Sequence, residues 1–140
     1  MEFKKYKKYI YPAIAVFVVI TLYNMVFHGI LMEKFYLDNS ELFKPQDEIQ
    51  KNKHLLWLAN LIYSFAFCYI YTKGHEKGEP IVQGIRYAIW ISLLIWVPKA
   101  IIGITVYPHP KTLEFALLIG YTIQAVFAGI TASLVFSKIK

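Results

Sequence analysis

Four long apolar blocks dominate the chain, at roughly residues 10–32, 55–72, 82–106 and 112–137. A bilayer span needs about 20 mostly apolar residues at about 1.5 Å rise each. Three blocks meet that length outright, and the second can borrow from its upstream flank. A helix of a water-soluble bundle keeps a wide polar face, and none of these four has one. The pattern predicts an all-α membrane protein, with four transmembrane helices in an up-down antiparallel bundle that forms a single domain over residues 1–140.

The connections carry their own signals. DNSELFKPQDE, residues 38–48, predicts a short helical turn stopped before Pro45. Pro45 then suits the first position of a new helix, with Asp47 and Glu48 at its positive end. That helix is expected to run unbroken to Thr72, long enough to project about 12 Å beyond the hydrocarbon core. In KGHEKGEP, residues 73–80, Gly74 stops a helix, and Gly78 and Pro80 keep the loop from continuing it. YPHPK, residues 107–111, is a tight, proline-stiffened turn. The first block is too long for a signal-peptide core and no small-residue cleavage site follows it, so it is expected to stay as a span.

Charge sets the expected orientation. The net charge is +6, but its placement argues against nucleic acid as a partner. Lys4, Lys5, Lys7 and Lys8 precede the first span, and Lys138 and Lys140 follow the last. Such flanking cations set topology and meet anionic headgroups. The loop of residues 73–86 adds three Lys/Arg, whereas residues 33–53 hold four Lys against five acids. Both termini are therefore expected in the cytoplasm, with the chain in the inner, cytoplasmic membrane and the lipid bilayer as its first partner. Tyr6, Tyr9, Tyr11, Phe35, Tyr36, Tyr69, Tyr71 and Tyr107 fall at the predicted interfaces, where amphipathic rings are favoured.

Polar residues inside the blocks are the candidates for chemistry, because burying them unpaired in lipid is costly. Asn24, His28, Asn60, Ser64, Lys99 and Gln124 form the candidate pocket set, with Ser92 beside them. Counted from the outer ends, most of them lie roughly 6 to 18 Å deep, so the set shares the outer half of the bilayer. Asn24 and His28 are i, i+4, and Asn60, Ser64 and Cys68 repeat at that spacing, which puts each group on one helix face. If the faces converge, they line a polar pocket open to the outside. The competing reading is packing, with the amides as interhelical hydrogen-bond partners worth about 0.6 to 2 kcal/mol each. Lys99 follows Pro98, which tends to kink its helix. Lys99 can snorkel outward, pair with Glu114 or Glu33, or face a substrate.

Ala125, Gly129 and Ser133 form a small-residue stripe that lets another helix approach closely, expected inside the bundle rather than against another chain. Cys68 stands alone, so no disulfide or Cys-based metal site is expected. The apolar blocks hold no paired carboxylates and no His-x-x-x-His pair, and no Gly-rich phosphate loop occurs. No metal or cofactor is expected; a lone His28 as a haem or pigment ligand is a weak signal.

Asn24, His28 and Gly29 make an N-x-x-x-H-G pattern near the end of the first span. In this pattern, and in length and layout, the chain resembles a group of small uncharacterised bacterial four-helix integral membrane proteins. The resemblance implies the architecture and carries no activity.

These features leave three functions open. The leading one is a non-enzymatic accessory or structural subunit of a membrane assembly, with other subunits or further copies of itself as partners. The second is a small-solute transporter or channel using the outward-facing pocket. The third is a lipid-modifying enzyme with His28 as base.

Overall fold

The computed structural model describes residues 3–139, with side chains from Tyr6 onward. Lys140 and the side chains of Lys4 and Lys5 lie outside the described residues. All regular structure among the described residues is helical. The helices are α1 (Phe3–Val26), α2 (Glu33–Asp38), α3 (Gln46–Lys51), α4 (Lys53–Gly74), α5 (Pro80–Ile91), α6 (Val97–Val106) and α7 (Lys111–Lys138). A π-turn over Phe27–Leu31 extends α1, and another over Ser92–Trp96 joins α5 to α6. By length and composition, four helical stretches can cross a membrane: Tyr6–Leu31, Lys53–Gly74, Pro80–Val106 and Lys111–Lys138. The chain is thus a multi-pass helical membrane protein.

These helical stretches coincide to within a few residues with the apolar blocks of the sequence. Two local expectations are corrected. The helix after Pro45 is not continuous to Thr72, because it breaks at Asn52, whose backbone leaves helical geometry at φ −102° and ψ 9°. The Asn52 side-chain Nδ2 donates back to the carbonyl of Glu48 at 3.0 Å, and Leu55 N–H donates to Asn52 O, so a new helix starts at once. Asparagine competes for backbone groups in this way. Pro45 is also one residue outside the helix, at extended ψ 143°, rather than in its first turn. The turn before it is a 3₁₀ turn over Ser40–Leu42.

The π-turn in the third span has a direct cause. Pro98 has no N–H for the carbonyl of Leu94, which removes one rung of the helix ladder. The ladder re-registers just before it, with Val97 N–H on Ser92 O. In the first span, Met32 N–H donates to Phe27 O at 2.9 Å. There the Phe27 ring fills the notch over Gly120, where an added Cβ would come within 2.0 Å of Phe27 Cζ.

Around the core, α1 packs on α4 and α7, and α5 packs on α7. Ala13, Val16, Ile20, Phe67, Cys68, Ile91, Ala128 and Ala132 bury together at the centre. Phe27, Met32 and Leu113 form a second cluster at the end of the bundle capped by α2 and α3, with Phe35 and Tyr36 on it. At the opposite end, Tyr9 meets Tyr69 and Tyr71 meets Phe136. Lipid-facing positions carry large apolar side chains that the protein leaves exposed, among them Leu22, Ile62, Trp90 and Leu94.

The small-residue stripe lies inside the bundle, as expected: Ala125, Gly129 and Ser133 are buried. Its partner is Gly84 of α5, a residue that no sequence pattern singled out. A Cβ on Gly84 would meet Gly129 O at 2.4 Å, and a Cβ on Gly129 would meet Gly84 O at 2.2 Å. The two backbones touch, so neither position tolerates a side chain without moving a helix. Gly29 is different, with nothing within 4 Å of an added Cβ. Gly84→Ala or Gly129→Ala is expected to cost about 1–3 kcal/mol by overpacking and to lower the melting temperature in detergent. Gly29→Ala is expected to leave it unchanged or raised.

Candidate functional site

Three helices bring amide side chains to one level. Gln124 Nε2 of α7 donates to Asn24 Oδ1 of α1 at 3.1 Å. Asn24 Nδ2 donates in turn to Asn60 Oδ1 of α4 at 3.2 Å. Asn60 Nδ2 reaches Thr21 Oγ1 at 3.4 Å. Each amide offers both a donor and an acceptor, so the chain Gln124–Asn24–Asn60–Thr21 passes hydrogen bonds across three spans. Asn24 is its hub.

This chain floors a cavity of about 860 Å³. His28 and Gly29 of the first π-turn and Trp96 of the second line it, with Tyr63 of α4 and Tyr121 of α7. Tyr36 of α2 and Gln46 and Ile49 of α3 border it from the capping segments, and Met25, Leu56, Trp57 and Ala59 complete the wall. Trp96 stacks on Tyr121 at 4.4 Å between ring centres, 17° from parallel. No Lys, Arg, Asp or Glu lines the space.

The first π-turn helps to bring His28 to Tyr36. In a straight α-helix, position i+8 lies about 80° around from position i. The extra residue of a π-turn takes up that offset, and the bend at Met32 completes the approach. His28 Nδ1 and the Tyr36 hydroxyl lie 2.6 Å apart, with the rings stacked at 6.0 Å. Burial pushes the Tyr36 hydroxyl up to about 12, with Tyr121 adding to the shift. Tyr36 is therefore neutral at physiological pH, and its hydroxyl either donates to the ring nitrogen or accepts from it.

Among the sequence-predicted residues, Asn24, His28, Asn60 and Gln124 surround this cavity, and Ser64 and Lys99 do not. Ser64 is fully buried and donates to the carbonyl of Asn60 at 2.7 Å, the usual outlet for a serine in a helix. Lys99 takes the pairing option: its Nζ bonds Glu114 Oε2 at 2.9 Å. Glu114 is 2% exposed, lies under Gly103 and also meets His109 Nδ1 at 3.3 Å. The cation is thus a clamp between α6 and α7, beside the cavity rather than in it. Glu33 is exposed and takes no part. Ser92 is buried at the start of its π-turn, and its hydroxyl has no partner.

Sequence reasoning missed the aromatic wall. A signal was present, because Tyr63 lies three residues after Asn60, Tyr121 three before Gln124 and Thr21 three before Asn24. Residues three apart share a helix face, so each polar candidate pointed to a neighbour on the same wall. Among the described residues, no three His, Cys, Asp or Glu side chains converge to hold a metal ion.

No family model, no curated protein and no solved structure matches this chain.

The amide chain makes a specific energetic claim. Asn24→Leu strands Gln124 Nε2 and Asn60 Oδ1 together, and a buried polar group left unpaired costs more than the bond itself contributed. A double-mutant cycle of Asn24→Leu with Gln124→Leu, read by unfolding in mixed micelles, is expected to give a coupling of about 0.6–2 kcal/mol. A coupling of zero would mean that the two amides do not bond each other.

Proposed function

We propose that this chain is a multi-pass protein of the cytoplasmic membrane that binds a small uncharged molecule in the cavity over the amide chain, as a transporter or channel would. The spans run up and down as an antiparallel bundle, with both termini in the cytoplasm and the cavity open toward the outside. The observation that carries the reading is the cavity itself: about 860 Å³, a size that suits a small molecule, with an amide floor, aromatic walls and no fixed charge in its lining. The ends of the bundle support the orientation. Lys7, Lys8 and Lys73 belong to the end opposite α2 and α3, where Tyr9 meets Tyr69, and basic residues favour the cytoplasmic face.

The accessory-subunit reading draws less support. The small-residue stripe that could have met another chain is occupied by α5. A lipid-modifying enzyme draws less still, because the partner of His28 is a tyrosine hydroxyl and not a carboxylate.

Purification in mild detergent, followed by mass determination of the intact complex, tests the binding reading. The wild type is expected to retain a small molecule that Tyr121→Ala loses. A larger assembly with no small molecule would replace this reading with the accessory subunit. Orientation is tested separately, since Cys68 is buried and does not compete for label. In intact cells, a membrane-impermeant maleimide is expected to label Asp47→Cys and not Lys77→Cys, and the reverse pattern would invert the topology.

A further inference from the structure

The unspent hydrogen-bond groups of the cavity narrow the class of molecule it takes, an inference that rests on the binding reading above. Asn24, Asn60 and Gln124 each carry two amide protons and use one within their chain. The Tyr63 hydroxyl and the Trp96 indole N–H are buried and have no partner at all. Both rings bound the cavity, 6.4 Å apart, but neither polar atom reaches its surface, so a ring must turn to present its donor to a bound molecule. An indole N–H can only donate. The cavity is therefore bordered by unspent donors, beside the unspent acceptor Gln124 Oε1, and its lining holds no fixed charge. A molecule that completes it brings acceptor oxygens and no net charge. Trp96 and Tyr121, stacked on each other, add an aromatic stretch of wall, against which a planar ring packs.

We infer that the cavity takes a neutral, lipid-soluble molecule whose planar ring carries carbonyl oxygens, the chemistry of a quinone head group. The carbonyls accept from Trp96 and Tyr63, and the ring lies along the aromatic wall. The proposal concerns binding alone.

Three probes with the same ten-carbon tail test it on the purified full chain: decyl-trimethylbenzoquinone, decylbenzene and decylbenzoate. Saturable binding is read by calorimetry and by the shift in melting temperature. The quinone is expected to bind at least tenfold more tightly than the other two. Trp96→Phe and Tyr63→Phe are each expected to weaken the quinone by roughly three- to tenfold, the loss of one hydrogen bond, and Tyr63→Phe, which keeps its ring, is expected to leave decylbenzene unchanged. Equal saturable binding of quinone and decylbenzene would overturn the carbonyl assignment and leave the cavity a binding site. Tighter decylbenzoate would overturn the neutral class. Binding of none of the three would also overturn the inference, while the molecule retained in the mass spectrum still decides the broader reading. Should either variant fail to fold, the wild-type comparison of quinone with decylbenzene decides alone.

Discussion

Asn24 holds the bundle together at the level of the cavity. Its side chain accepts from Gln124 and donates to Asn60, which joins α1 to α7 on one side and to α4 on the other. In hydrocarbon an unpaired amide is costly, so three spans that each carry one are drawn to a common height. The chain of amides sets the register of the helices and floors the cavity in the same step. Packing and site therefore depend on one set of bonds.

The rest of the scaffold leaves that floor open. α5 and α7 meet backbone to backbone at Gly84 and Gly129, so their side of the bundle is closed by contact. Above that crossing the third span changes course, because Pro98 cannot complete its helix and the ladder shifts by one residue. Trp96 falls within that shifted turn and reaches Tyr121. The first span shifts in the same manner at Phe27–Leu31, where Phe27 turns into the notch of Gly120 and His28 meets Tyr36. Both irregular turns contribute to the cavity wall. Departures from regular helix of this kind are frequent at functional sites.

The charged groups at the same end act as structure. Glu114 is buried between Lys99 and His109 and fixes the start of α7 against α6. A buried carboxylate persists in such a place only with its partners. The pairing engages the cation outside the cavity lining, which holds no Lys, Arg, Asp or Glu.

Span number, helical class and the few polar positions within the spans were legible in the sequence. They rest on local properties, namely the length of apolar runs, the breaks at Gly and Pro and the cost of an amide in lipid. The interior position of the Ala125–Gly129–Ser133 stripe and the pairing of Lys99 with Glu114 were also within reach, since small residues seek close backbones and a buried charge seeks its opposite. Only the tertiary structure decided which faces meet. Ser64 has the same spacing as Asn60 but turns to its own backbone. Gly84 finds Gly129 across 45 residues of chain, and the rings of Tyr63, Trp96 and Tyr121 gather from three spans around one space. The two π-turns rotate side chains off the regular helical period, and no count of three and four along the chain anticipates that. A helix face is written locally; its partner depends on how four helices share one volume.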